Sequence, residues 1–153
     1  MKVKSITTDI GSLSVTPIGD RYYRINCDTK IKSVTSIGCF NVFVQAGFIT
    51  NFRSGGVLVD GFVDQVGDEQ KSLVYLLHDI FYTPGDSCGG EHPVSRALAD
   101  EFLRDALAWA GMGSFKRNLV YRSVRMFGNS AYVEDDNLTE TNRKLFKFSW
   151  GDK

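Results

Sequence analysis

The residues best suited to chemistry lie in the apolar segment LLHDIFY, near the middle of the chain. The segment contains His78 and Asp79, in a chain that has 2 histidines in total. On a helix, His78 and Tyr82 share one face because they are four residues apart, whereas Asp79 is turned about 100° away. An imidazole placed in this way predicts either a general base or a buried structural network.

A second polar pair, Arg96 and Asp100, has the same four-residue spacing in the next predicted helix. If the two helices pack antiparallel across the connection TPGDSCGGEHP, Asp100 can reach His78. A carboxylate on one imidazole nitrogen fixes the tautomer and leaves the other nitrogen to accept a proton. The catalytic hypothesis therefore assigns His78, Asp100 and Tyr82 to a hydrolytic site.

The structural hypothesis uses the same side chains to hold the two helices together. Each polar group of a buried network is satisfied by the next one, so neither a cleft nor a substrate is needed. On residue types alone, this hypothesis is the favoured one. Its cluster consists of His78, Asp79, Tyr82, Arg96 and Asp100. No cofactor is expected for such a network.

The elements that position these residues change in character near residue 65. Before that point, segments such as RYYRINC and CFNVFVQAGF alternate and are broken by glycine, which predicts four to six short antiparallel strands. After residue 68, apolar residues recur at helical spacing and predict about three helices. The predicted fold is α+β, with a strand-rich N-terminal half packed against the C-terminal helices.

Composition indicates one globular domain without special partners. The chain has 153 residues, enough to bury a core without disulfides. Its 18 basic and 18 acidic residues cancel, which disfavours nucleic-acid binding. No apolar run approaches the roughly 20 residues that span a bilayer, and the start lacks the apolar stretch of a signal peptide. We therefore expect no nucleic-acid partner, no transmembrane segment and no secretion by a signal peptide.

The C-terminal residues are predicted to form a segment separate from the main domain. We divide the chain into an α+β domain at 1–133 and a polar tail or docking segment at 134–153. The stretch KLFKFSWGDK carries four large apolar side chains that are candidates for an interface: Leu145, Phe146, Phe148 and Trp150. Aromatic groups of this kind anchor many interfaces. The segment therefore either packs back on its own sheet or docks on another subunit.

Four ordered motifs extend this picture: AGFITNFRS, LLHDIFY, SRALADEFLRDALAWAGM and YRSVRMFGNSAY. Across about residues 44–132 they resemble an uncharacterised family of small tailed-phage and prophage proteins, a domain of unknown function. The positions that match its pattern are Gly47, Phe48, Thr50, Ser54, His78, Asp79, Tyr82, Arg96, Ala99, Asp100, Phe102, Tyr121, Val124, Arg125, Phe127 and Gly128. The chain departs at Asn51, where the family usually has aspartate, and at Gly56, near its usual proline.

This resemblance implies a phage origin but no particular reaction. It suggests a tailed-phage accessory or structural protein that is made in the host cytoplasm and becomes part of the virion. Its partners would be other phage proteins or further copies of itself. If the family aspartate carries chemistry, the asparagine at position 51 removes it.

A second resemblance is local. His-Asp-x-x-Tyr on one helix and Ala-Asp-x-x-Phe on the next is similar to the core of phospholipase A-two, including the version in parvovirus capsids. In those enzymes the histidine activates water, the adjacent aspartate binds calcium, and an upstream glycine-rich loop supplies carbonyl ligands. The resemblance implies a small phage hydrolase acting on phospholipid or another cell-envelope substrate. Calcium, bound by Asp79 and by carbonyls around Ser54 to Gly56, is expected only under this alternative.

Overall fold

The structure is a computed structural model and describes residues 1–19, 22–50, 69–134 and 136–151. Its strands are β1 (Val3–Thr8), β2 (Val15–Gly19), β3 (Tyr22–Ile25), β4 (Thr29–Thr35), β5 (Gly38–Val44), β6 (Ile49–Thr50) and β7 (Phe146–Gly151). Its helices are α1 (Glu69–Phe81), α2 (Arg96–Trp109), α3 (Ser114–Phe127), α4 (Asn129–Val133) and α5 (Asn137–Asn142), with a short 3-10 helix at Asp86–Cys88. Antiparallel strands in the N-terminal half and helices in the C-terminal half confirm the predicted α+β class.

The strands of the described ranges form two antiparallel sheets. The larger has the order β1-β4-β5-β7, and the smaller has the order β2-β3-β6. Along β4, buried and outward-facing residues alternate, because one face of the larger sheet packs on the helices. Ile31, Val42 and Phe148 lie side by side across β4, β5 and β7 on this inner face.

The core lies between the inner face of the larger sheet and helices α1 and α2. Phe40 of β5 contacts Phe81 of α1 and Phe102 of α2, with ring centroids 5.4 and 5.5 Å apart. Such tilted and edge-to-face contacts are favourable arrangements of aromatic rings. Helix α1 is buried on nearly all sides, including the run from Ser72 to His78. Two of its polar side chains, Ser72 and His78, are therefore placed in the interior of the molecule.

The C-terminal segment completes the larger sheet. β7 pairs with β5 from Phe146, opposite Val44, to Gly151, opposite Cys39. Phe146 is 2% exposed, whereas Trp150 at the sheet edge is 47% exposed. The other two interface candidates, Leu145 and Phe148, are partly buried against the core. Of the two placements left open by the sequence, the structure has this segment on the chain's own sheet.

Two local features fix the helices that carry the polar cluster. Ser95 caps α2 by accepting a hydrogen bond from the backbone N–H of Leu98 at 3.2 Å, as its residue type predicts. Gly128 separates α3 from α4. Within the described ranges, no helix has the length and apolar character required to cross a membrane.

Candidate functional site

The structure brings His78 of α1 and Asp100 of α2 into contact. The Nε2 atom of His78 lies 2.9 Å from Oδ1 of Asp100. Tyr82, which directly follows the last residue of α1, donates its hydroxyl hydrogen to the same oxygen at 2.5 Å. His78 is 1% exposed and Asp100 is fully buried. The contact that the helical spacing predicts is therefore present, in the interior between the two helices.

The second carboxylate oxygen of Asp100 is held by arginine. Arg125 of α3 donates from Nη1 to Oδ2 at 2.8 Å, and Nε of Arg96 lies 3.9 Å from the same oxygen. Arg96 also donates from Nη2 to the backbone carbonyls of Val124 and Arg125, both at 2.7 Å. The network thus joins three helices. Helical spacing alone does not assign Arg125 to this cluster.

Burial and these contacts set the protonation states. Burial lowers the pKa of His78 and outweighs the opposing effect of Asp100. Burial would raise the pKa of Asp100, but hydrogen bonds from His78, Tyr82 and Arg125 bring it below its usual range. Burial, and then the bond to Asp100, raises the pKa of Tyr82. At neutral pH the cluster therefore contains a neutral imidazole, a carboxylate and a neutral phenol.

A neutral imidazole facing a carboxylate has a defined tautomer. Nε2 of His78 carries the proton and donates it to Asp100, because an ionised carboxylate can only accept. Nδ1 is then the nitrogen with the lone pair. A histidine in this tautomer takes up a proton at Nδ1 when it acts as a base.

Asp79 takes part in a different set of contacts. Its carboxylate accepts a hydrogen bond from the hydroxyl of Thr50 in β6. Its backbone carbonyl accepts from the hydroxyl of Thr83 at 2.8 Å. As expected for neighbouring positions on a helix, Asp79 and His78 point in different directions. Asp79 therefore links α1 to the smaller sheet and is not a partner of Asp100.

A cleft of about 220 Å³ opens beside the cluster. His78, Asp79 and Tyr82 line one side of it, and other described parts of its wall come from β3, from β6 and the residue before it, from the end of α3 and from the α4–α5 segment. Glu134 and Asp136 of that segment also line it. His78 thus contributes to the wall of this cleft while it is only 1% exposed.

Gly128, directly after the C-terminal end of α3, lies very close to Tyr82 of the cluster. A Cβ atom added at Gly128 would lie 2.7 Å from the hydroxyl of Tyr82 and 2.5 Å from the carbonyl of Val124. Tyr132 of α4 packs edge-on against Tyr82 and stacks on His92, with centroids 5.2 and 3.6 Å apart. The absence of a side chain at position 128 is therefore what allows Tyr82 to reach Asp100.

The described side chains do not by themselves fit a calcium ion. Calcium takes about six to eight oxygen ligands, mostly from carboxylates and carbonyls. In the part of the chain that the structure describes, no three His, Cys, Asp or Glu side chains come together as a metal-binding group. The loop around Ser54 to Gly56, expected to supply carbonyls, and Asn51 lie outside the described residues. No chemistry at this site is therefore assigned to a metal.

Comparison with known proteins gives a family and no activity. A family model described as protein of unknown function, DUF1353, matches residues 25–124. The matched region covers well over half of the chain and includes His78, Tyr82 and Asp100, but it ends one residue before Arg125. Searches among curated proteins and among solved structures find no match. The chain therefore belongs to the DUF1353 family.

Proposed function

We propose that the protein is a small hydrolase in which His78 is the general base and Asp100 orients it. Residue types alone favour a closed structural network. The observation that supports catalysis is that the imidazole bonded to Asp100 also lines a cleft. A structural network has no need of a cleft, whereas a hydrolase needs access for substrate and water.

The proposed reaction uses the lone pair on Nδ1 of His78. A water molecule gives a proton to Nδ1 while its oxygen forms a bond to the carbonyl carbon of an ester or amide. The proton then passes from the imidazolium to the leaving oxygen or nitrogen as the carbon–heteroatom bond breaks. Asp100, 2.9 Å from Nε2, stabilises the positive charge that the ring carries between the two steps.

Tyr82 and Arg125 are positioning residues in this proposal. They donate to opposite oxygens of Asp100, at 2.5 and 2.8 Å, and so fix the carboxylate plane against the imidazole. Tyr82→Phe should lower kcat more than it raises KM. The change removes the hydrogen bond that fixes Asp100 against the His78 ring, but it removes no contact with the substrate. Tyr121→Phe is the matched control, since the Tyr121 ring packs under Arg104 and contacts neither the cleft nor the network.

The test of the proposal is turnover by the purified full chain. Short-chain phosphatidylglycerol and soluble peptides offer an ester and an amide substrate class. We expect hydrolysis of one class, and a loss of about a hundredfold or more in His78→Gln, the usual contribution of a general base. Thermal melting must show that the variant is folded. Equal turnover by wild type and folded His78→Gln, or none by the wild type with either class, would contradict the proposal.

We also propose, from the motif resemblance, that the protein is a component of a tailed-phage particle. One structural feature supports this second role. Among the described strands, β7 is the last in the order of the larger sheet, and Trp150 on it packs against Phe40 while about half of its side chain stays exposed. An edge strand can accept a strand of a neighbouring protein, and an exposed tryptophan is a common anchor.

Particle composition tests this second role. Trp150→Ala should leave the isolated protein folded but lower its copy number in purified particles, as measured by quantitative mass spectrometry. Lys144→Ala, an exposed change in the preceding turn, is the control. Complete absence of the wild-type protein from purified particles would contradict the proposal.

A further inference from the structure

A second and larger cleft adjoins the one beside His78. It has a volume of about 680 Å³ and is formed by the connection between α1 and α2 together with α4. Its described walls include Pro84, His92, Pro93 and Tyr132. Glu134 lines both clefts and is therefore the boundary between them.

The sizes of the two clefts indicate how a substrate would be divided between them. Pockets that hold small organic ligands have volumes of about 300–1,000 Å³. The cleft at His78, with about 220 Å³, can take little more than the reacting group. The larger cleft, with about 680 Å³, lies within that range. A substrate that places its reacting bond at His78 would therefore place the rest of its structure in the larger cleft.

The charges along both clefts discriminate between substrate classes. Carboxylates of Asp79 and Asp136 line the smaller cleft, and Glu91 lines the larger one. The arginine of the larger cleft, Arg143, is already bonded to two carboxylates outside it, at 2.8 and 3.1 Å. A phosphodiester would meet several carboxylates and a guanidinium that is already neutralised, which is unfavourable. An ammonium group would meet carboxylates of opposite charge.

The uncharged part of the larger cleft suits a peptide. Val94, Val133 and the two prolines give it apolar surface, and the stacked rings of His92 and Tyr132 form a flat wall. Apolar walls with a few placed polar groups are typical of sites that hold a side chain and orient the backbone beside it.

Building on the proposed hydrolase, we infer that its substrate is a peptide bearing an amine and that the bond presented to His78 is an amide. The larger cleft holds the peptide segment, and Glu91 and Glu134 bind its ammonium group. In the reaction, water adds to the amide carbon, the carbon–nitrogen bond breaks, and the amine leaves with the proton returned by His78. Water is the co-substrate, and no oxidant or reductant is required.

Binding measurements test this assignment separately from turnover. The probes are acetyl-Ala-Lys-Ala-amide, the same peptide with its lysine Nε-acetylated, and dihexanoyl phosphatidylglycerol. Calorimetry is carried out with wild type and with His78→Gln, which lacks the base. We expect the lysine peptide to bind both proteins, and the acetylated peptide to bind about fivefold more weakly because two carboxylate contacts are lost.

The variants locate the contact. The double variant Glu91→Gln, Glu134→Gln should bind the lysine peptide more weakly by a similar factor. Its affinity for the acetylated peptide should be unchanged. Glu101→Gln is the matched control, because Glu101 lies on α2 outside both clefts and is bonded to the amine of Met1. All of these changes are at side chains on or near the surface, so folded protein is expected for each.

Three outcomes would overturn the inference: equal binding of both peptides, an unchanged Kd in the double variant, or tighter binding of the phospholipid than of the lysine peptide. Peptide binding that needs the two glutamates but leads to no hydrolysis would support the ligand assignment while contradicting the proposed hydrolase. Hydrolysis of the phospholipid alone would support a hydrolase and overturn the peptide assignment.

Discussion

Asp100 is the residue on which the polar cluster depends, since it accepts from side chains of α1 and α3 and lies near Arg96 on its own helix. A buried carboxylate is tolerated only when its charge is compensated in this way. Its partners in turn depend on it. Replacing the carboxylate by an amide gives His78 and Tyr82 a neutral acceptor in place of a charged one, and it leaves two guanidinium groups without their counter-ion.

Asp100→Asn should therefore destabilise the protein by about 3–5 kcal/mol, the usual cost of breaking a buried ion pair from one side. Urea titration followed by circular dichroism measures the free energy of unfolding. Asp105→Asn is the control, because Asp105 pairs at the periphery with Arg104 and Met1 and should cost about 1 kcal/mol or less. An equal decrease in the free energy of unfolding for the two variants would contradict the prediction, because the buried ion pairs of Asp100 would then contribute no more than the peripheral pairs of Asp105.

Mild acid should destabilise the protein through His78. Burial lowers its pKa, so below the unfolded value of about 6.5 the unfolded chain binds more protons than the folded one. The free energy of unfolding should be level above about pH 7 and should fall as pH decreases from about 6.5 through the folded pKa. Denaturation at a series of pH values measures this fall.

The comparison for this pH effect uses both histidines. His78→Gln should remove the larger part of the acid effect, whereas His92→Gln should remove less, because His92 is only partly buried and its lowered pKa is partly restored by the carbonyl of Phe81. If wild type and folded His78→Gln lose stability identically between pH 7 and 5, the titration of His78 is not coupled to folding.

At this scale, the sequence predicts the contacts that follow from spacing on neighbouring helices. His78, Tyr82 and Asp100 come from two consecutive helices, so one assumption about their packing is enough to bring them together. Arg125 could not be assigned in the same way, because its approach depends on how α3 crosses α2. That crossing is set by side-chain packing over the whole interface and has no local signal.

At the scale of elements, Gly128 is the point where α3 and α4 come closest to α1. Gly128→Ala should cost about 1–3 kcal/mol, because the added methyl group would overlap Tyr82 and the carbonyl of Val124. If the proposed hydrolase is correct, it should also lower turnover, because it displaces Tyr82 from Asp100. Gly11→Ala is the control, since a Cβ there has nothing within 4 Å and should change stability by less than about 0.5 kcal/mol.

β7 makes a second prediction at this scale. Phe146→Ala should cost about 3–5 kcal/mol, because the ring is buried between Phe48 and the backbone at Gly85. Trp150→Ala, at the exposed end of the same strand, should cost clearly less. Denaturant titration of both variants measures the difference. Equal, small losses would mean that β7 is a detachable segment of the kind that the polar run before it suggests.

The placement of β7 shows why a local pattern is insufficient for strands. KLFKFSW alternates as a strand should, but its partner β5 lies about a hundred residues earlier in the chain. Strand pairing is decided by packing and register across the sheet, so the sequence alone leaves open whether the partner is the same chain or another one. The helices were easier to predict because their periodicity is contained within each segment.

At the scale of the whole molecule, equal numbers of positive and negative charges do not mean an even distribution. Carboxylates gather along the two clefts, whereas Lys30, Lys32 and Lys147 are exposed on the outer face of the larger sheet. Register places Lys30 and Lys147 on either side of Phe43. Net charge is a single number, so this separation becomes visible only once the topology is known.

The burial of α1 on nearly all sides has a consequence for motion. Amide hydrogens in such an element exchange with solvent mainly through global opening, whereas those of exposed segments exchange through small local openings. Because His78 belongs to α1, the geometry between its ring and Asp100 should persist for as long as the molecule is folded. We expect slow deuterium uptake along α1 and faster uptake along α4 and α5. This result would mean that His78 is held rigidly while the opposite wall of the cleft moves more freely.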